Sequence, residues 1–274
     1  LNTTVCDGGD IELTSSATGT TLAYFWSGPN SFTSTEQNPL ISSVGLAANG
    51  TYTVTISNSC GSTSSSVSVT VLANPTITLT NTINICQGAT SFSIPYSATT
   101  GSPDEFYIQA GTPAYPNFIA NSYPLTASPL TVSVDGSAAP GSYLFSVQVI
   151  NTSVPCLSGL YTITLNVIAP PAAGITNNTG TTVLSCANTS ISLTATGGGT
   201  YLWDSGSTDA NRSVSVAGTY TVTVTNNGCT ASSQVTITGN STPPTAVITP
   251  SSGTLTCTVT SINLVASGGT SYLW

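Results

Sequence analysis

Histidine, lysine and methionine are absent from the 274 residues, and Arg212 is the only basic side chain. Without histidine, neither a Ser–His–Asp nor a Cys–His catalytic arrangement can form, nor a histidine metal cluster. Without lysine there is no isopeptide cross-link, and trypsin has one point of attack. Nine acidic residues set against one arginine give a net charge of −8. Such a chain cannot neutralise a phosphate backbone or dock on an anionic lipid surface, so nucleic acid is not an expected partner. No apolar run reaches the ~18 residues that a membrane span needs, so no membrane insertion is expected in this segment. Leu1 does not open a signal peptide; the segment is expected to begin and end within a longer exported protein.

In place of charge, serine and threonine make up about a third of the chain. Hydroxyls hydrate a surface without ion pairs, and threonine suits the exposed face of a strand. Seven cysteines occur without any CxxC spacing. That pattern argues for structural disulfides in an oxidising compartment, hence an extracellular or cell-surface location.

The odd count of cysteines follows from internal repetition. Residues 186–203 read CANTSISLTATGGGTYLW and residues 257–274 read CTVTSINLVASGGTSYLW, with Cys and Trp seventeen positions apart in both. Cys6 to Trp26 is the same element with three residues inserted. A second block follows the tryptophan: GTYTVTISNSC at 50–60 and GTYTVTVTNNGC at 218–229. Between these lies a longer cousin, from Cys86 to Cys156, with Phe106–Tyr107 in place of tryptophan. Pro and small residues at Ala73–Pro75, Ala169–Pro171 and Thr242–Pro244 divide the chain into repeats at 1–73, 74–169, 170–241 and 242–274, the last truncated before its second cysteine.

Within each repeat the apolar period is two. Ile11 and Leu13, Ile191 and Leu193, Ile262 and Leu264 alternate with polar residues, as do Tyr52, Val54 and Ile56, and Tyr220, Val222 and Val224. Several such strands per repeat, parted by Gly, Asn and Ser turns, predict an all-β fold of tandem immunoglobulin-like β-sandwich repeats. In that fold Trp26, Trp203, Trp274, Tyr52 and Tyr220 are expected core aromatics.

The succession of Cys, strand, GG-x-x-YLW and GTYTVTVTNNGC resembles the immunoglobulin-like and PKD-like repeats of giant surface proteins of Bacteroidetes. Among these are gliding-motility adhesins of the SprB type and other cargo of type IX secretion. CQGATSFSIPYSATTGSP from Cys86 resembles a second repeat type of the same proteins. The resemblance implies a non-catalytic structural and adhesive role in cell adhesion or in an extracellular filament. It covers nearly the whole chain and is specific to the repeat class, not to one protein.

Two disulfide schemes are open at this stage. One bridge per repeat gives Cys6–Cys60, Cys86–Cys156 and Cys186–Cys229, with Cys257 left over. The second is staggered: Cys6–Cys156 and Cys86–Cys229, with Cys60, Cys186 and Cys257 looking to repeats beyond the segment. Geometry motivates the second, because the two cysteines of one sandwich are expected at opposite poles, a strand length of about 25 Å apart. A disulfide spans only about 7 Å between Cα atoms.

Catalysis is left with carboxylate pairs, Asp104 with Glu105 or Asp204 with Asp209. The first two are neighbours on a strand and point to opposite faces, and the second two bracket a Ser/Gly turn, so neither predicts an active site. Asp7, Asp10 and Glu12 are the weak candidates for a metal, calcium. Gln87, Ala187 and Thr258 replace Asp7 in the later repeats, which favours a solvated turn. No cofactor is expected. Asn2, Asn49, Asn151, Asn177, Asn188, Asn211 and Asn240 stand in Asn-x-Ser/Thr sequons. The expected partners are neighbouring repeats of the same long chain, other filament chains or surface glycans. The alternative reading is a stalk or carbohydrate-binding accessory region of a secreted polysaccharide-degrading enzyme, which a row of exposed aromatics would favour.

Overall fold

Tyr52, Val54 and Ile56 turn into a core while Thr51, Thr53 and Thr55 turn out, and this period of two makes Gly50–Asn58 a long strand. The computed structural model describes residues 3–239 and 245–274. The sequons at Asn2 and Asn240 and the boundary at Thr242–Pro244 lie outside the described residues. The chain forms two compact units, 1–169 and 170–274, and among the described residues the regular structure is β except for one 3-10 turn at Leu46–Ala48.

The first repeat contains β1 (Thr4–Cys6), β2 (Ile11–Glu12), β3 (Ala23–Ser27), β4 (Thr33–Ser34), β5 (Leu40–Ile41), β6 (Gly50–Asn58) and β7 (Gly61–Leu72). One sheet runs β1-β7-β6-β3-β4 and the facing sheet is β2-β5. Ile11, Leu13, Trp26, Tyr52, Val54 and Val69 fill the space between them. On the outer face of β6 and β7, the hydroxyls of Thr53 and Ser66 pair at 2.8 Å and those of Thr55 and Ser64 at 2.9 Å. Cross-strand hydroxyl pairs replace the ion pairs that the composition withholds.

The second repeat contains β8 (Thr76–Leu79), β9 (Thr82–Cys86), β10 (Ser91–Ile94), β11 (Tyr96–Thr100), β12 (Glu105–Ala110), β13 (Asn121–Pro124), β14 (Leu130–Ser133), β15 (Gly141–Asn151), β16 (Cys156–Leu157) and β17 (Tyr161–Ile168). Its main sheet is β13-β12-β15-β17-β9, with β16 on β15, and it faces the pairs β10-β14 and β8-β11. Phe106 takes the place of the missing tryptophan and is fully buried. Phe145 anchors the core through Phe92, Tyr115 and Phe118, with ring centroids between 4.9 and 6.2 Å.

The second unit opens with β18 (Gly174–Asn177), β19 (Val183–Leu184), β20 (Ile191–Thr196), β21 (Thr200–Trp203), β22 (Asn211–Val214), β23 (Gly218–Asn226) and β24 (Cys229–Gly239). The sheets β19-β24-β23-β21 and β18-β20-β22 enclose Ile191, Leu193, Trp203, Val222 and Val224. Asn227 and Gly228, at φ 49° and 81°, form the tight turn between β23 and β24, the backbone that an Asn-Gly pair supplies at least cost.

Residues 245–274 add only β25 (Val247–Thr249) and β26 (Val265–Ser267), paired antiparallel. Trp274, expected in a core, is 71% exposed. Its counterparts are buried by strands that follow them, and no such strands lie after Trp274 in this segment.

A parallel pairing is common to the repeats. β1 lies beside β7, β9 beside β17 and β19 beside β24, each the strand that starts a repeat next to the strand that ends it. Cys6 is thereby set opposite Leu72, and Cys86 opposite Ile168. The first cysteine of a repeat therefore sits at its downstream pole, where the chain leaves. The second sits at or near the tight turn before the last strand, at the upstream pole.

Candidate functional site

The chemistry-bearing centre that the fold assembles is the joint between the first two repeats. Cys6 is bonded to Cys156, with Cα atoms 5.5 Å apart and 150 positions between them in sequence. This excludes the Cys6–Cys60 and Cys86–Cys156 pairings. Cys86 and Cys229 are also disulfide-bonded, whereas Cys60, Cys186 and Cys257 are free and exposed.

Each side of the joint is held by local hydrogen bonds. The Asp7 N–H donates to the Leu72 carbonyl at 2.8 Å, and the Asn74 side-chain amide donates to the Asp7 carbonyl at 3.0 Å, tying the linker to the segment after Cys6. Opposite, the Asp104 carboxylate accepts from the Thr152 N–H at 2.8 Å and the Thr152 hydroxyl at 2.6 Å. Asn151 Oδ1 accepts from the Ser153 N–H at 3.1 Å, and the Asn151 amide donates to the Gly101 carbonyl at 3.0 Å. The turn that carries Cys156 is fixed by these contacts. The hydrogen bonds from Thr152 hold the Asp104 carboxyl below its ordinary range. Asp104, a candidate acid in a carboxylate pair, is thus a turn-positioning residue, and Glu105 faces away along β12.

Asp204 and Asp209 serve the third repeat in a similar way. Asp204 forms an ion pair with Arg212, and the carbonyl of Asp209 accepts the indole N–H of Trp203 at 2.9 Å. The Arg212 guanidinium lies 4.6 Å from the Tyr220 ring centroid and 5.3 Å from that of Trp203. The lone cation closes one end of the core. Asp7, Asp10 and Glu12 do not converge: Asp10 accepts the Ser43 N–H at 2.8 Å, and no group of three potential ligands gathers among the described residues. Trp26, Trp203 and Tyr52 are buried and Tyr220 half-buried, so these aromatics present no row for stacking on sugars. Among the described residues no helix is long and apolar enough to cross a membrane.

Sequence reasoning passed over Asn74, Asn151 and Thr152. Each stands within a few positions of Pro or Cys, the one local hint that its side chain folds back on the backbone.

No protein-family model and no curated protein sequence matches the chain. Among solved structures, a variant of the three-domain titin fragment I67–I69 is 14% identical over 88% of this chain and 96% of that one, with a TM-score of 0.39. The extracellular domains 3–5 of Drosophila OTK are 13% identical over 88% and 94%, with a TM-score of 0.35. The assignment as tandem immunoglobulin-like sandwiches rests on strand order and register.

Proposed function

We propose that this chain is a non-catalytic structural segment of a long extracellular protein, in which repeats bounded at 1–73, 74–169, 170–241 and 242–274 are stapled to their neighbours by staggered disulfides. The observation that carries the reading is the Cys6–Cys156 bond, because a bridge across a joint limits bending where one inside a sandwich would not. In the chain-entropy treatment, a closure over 150 positions contributes about 5 kcal/mol.

The same pole geometry repeats, and it favours a Cys86–Cys229 bridge. Cys60, Cys186 and Cys257 occupy the positions that would serve further repeats. A surface built from hydroxyls, with no lysine and a single arginine, suits life outside the cell, and the resemblance to adhesins of Bacteroidetes exported by type IX secretion supports a cell-surface, adhesive setting. Neighbouring repeats are the first partners, and other filament chains or surface glycans the next.

Non-reducing peptide mapping tests the pairing, with Cys6–Cys156 and Cys86–Cys229 peptides as the expected products. Small-angle scattering tests the mechanics: the oxidised chain is expected to give one narrow distribution of length, which broadens on reduction. Recovery of Cys86 joined to any other cysteine, or equal breadth in both states, would count against the proposal.

A further inference from the structure

The contacts that build each sandwich leave sulfur out. Among the described residues, none of the three core clusters includes a cysteine. Cys6 is set beside Leu72 by the pairing of β1 with β7 and by the hydrogen bond from the Asp7 N–H to the Leu72 carbonyl. Cys156 is set opposite Asn151 by the pairing of β16 with β15. Two residues on, the Ser158 N–H donates to the Val149 carbonyl and the Ser158 hydroxyl accepts the Val149 N–H, both at 2.9 Å. Every one of these contacts lies within a single repeat, so the placing of each cysteine does not depend on the bridge between them.

An unfolded chain would choose other pairs. Cys60 and Cys86 stand 26 positions apart, Cys6 and Cys60 54, and Cys6 and Cys156 150. Because closure becomes less probable with the three-halves power of loop length, Cys6–Cys156 should form about fourteen times less often than Cys60–Cys86 and about five times less often than Cys6–Cys60. Folding reverses that order. Cys6 lies in register with Leu72, at one end of β7, while Cys60 immediately precedes Gly61, at the other. The 12 residues of β7 span about 36 Å, against the roughly 7 Å that a disulfide allows between Cα atoms. Once the first sandwich has formed, Cys6 and Cys60 cannot meet.

The bonded residues also differ in access. Cys156 is 2% exposed, whereas Cys6 is half-buried. Cys229, 1% exposed, and the half-buried Cys86 repeat the contrast. In both cases the cysteine near the start of a repeat is the one that solvent reaches.

We propose that the repeats fold with their thiols reduced and that the Cys6–Cys156 bond is added afterwards, by exchange with a disulfide-bearing oxidant that enters at Cys6. The inference rests on the stapled-repeat reading and adds the order of events to it. The Cys6 thiolate attacks one sulfur of the oxidant, whose S–S bond breaks to release a first thiolate and leave a mixed disulfide on Cys6. The Cys156 thiolate then attacks the Cys6 sulfur and displaces the second thiolate. Two electrons pass from the cysteines to the oxidant, and the two protons they give up end on the two released thiols. The fold selects the partner, so the reaction class required is dithiol oxidation of folded protein, without isomerisation of wrong pairs.

The test treats the fully reduced full chain with oxidised glutathione in native buffer and in concentrated urea, with alkylation and non-reducing peptide mapping at intervals. In native buffer the reduced chain is expected to keep its β-sheet circular dichroism, and Cys156 to be the first cysteine that Cys6 joins, with no Cys6–Cys60 at any time. In urea, Cys60–Cys86 is expected to exceed Cys6–Cys156 by about fourteenfold. Folded Cys156→Ser is expected to take up glutathione on Cys6 roughly tenfold faster than folded Cys6→Ser takes it up on Cys156. A reduced chain without β structure, or passage through Cys6–Cys60 on the way to Cys6–Cys156, overturns the order while leaving the staple standing. Equal uptake at the two cysteines overturns entry at Cys6. A native end product that lacks Cys6–Cys156 overturns the staple and the order together, which tells the two failures apart.

Discussion

The first and third repeats share their Cys, Trp and Tyr blocks, and in the third a further strand, β18, pairs with β20 ahead of the first cysteine. Trp203 donates to a backbone carbonyl at 2.9 Å, while Trp26 does so at 3.3 Å beside a cleft. β18 starts twelve positions before Cys186, whereas five residues precede Cys6, so none of them corresponds to it. The shared blocks build a tryptophan core in both repeats, and β18 adds Ala173 and Ile175 to that of the third.

The largest effect is expected where the first repeat leans on its neighbour. Replacing Cys6 and Cys156 together by serine should cost the 1–169 unit up to about 5 kcal/mol, read as a lowered denaturation midpoint. Next comes the core: Trp203→Ala should destabilise the third repeat by about 4 kcal/mol, and Trp26→Ala the first by roughly 1 kcal/mol less, because its site is already partly open. Equal losses in the two melts would show that the cleft beside Trp26 does not weaken its packing.

A smaller change should loosen β18 on the third repeat. Ile175→Ala is expected to cost about 1–2 kcal/mol and to raise hydrogen exchange at Thr194 and Thr196, which β18 pairs with. Smaller again, Arg212→Ala should cost about 0.5–1 kcal/mol by uncovering Trp203 and Tyr220.

The last prediction concerns acid. The Asp104 carboxyl titrates below its ordinary range when folded, so its stabilisation is complete above the unfolded value and fades as pH falls through the folded one. Asp104→Asn should flatten the low-pH part of the stability profile of the 1–169 unit without altering its neutral-pH disulfide content.

The alternating strands were legible because their burial repeats every second residue, as in Tyr52, Val54 and Ile56 or Ile191 and Leu193. β1 was not, since Thr4–Cys6 is too short to display a period, and its parallel place beside β7 comes from the sheet. Cysteine spacing alone could not choose between the two disulfide schemes, and that parallel pairing decides where Cys6 ends up. Trp274 misled because a motif predicts burial only where the strands that bury it are supplied. Tyr115 and Phe118 lie in an irregular stretch between β12 and β13, and their packing on Phe145 leaves no periodic trace in sequence.

The Cys6–Cys156 bond also rewrites the route of a pulling force. Tension applied at the two ends of the first two repeats crosses from residue 6 to residue 156 through sulfur, and the 149 positions between them form a side loop that feels none of it. Only the stretches from Thr3 to Cys6 and from Cys156 to Ala169 can be drawn out, about 60 Å at full extension against roughly 580 Å for the reduced chain. Two sandwiches held in this way act as an inextensible tether whose length is set by covalent chemistry and not by whether they stay folded.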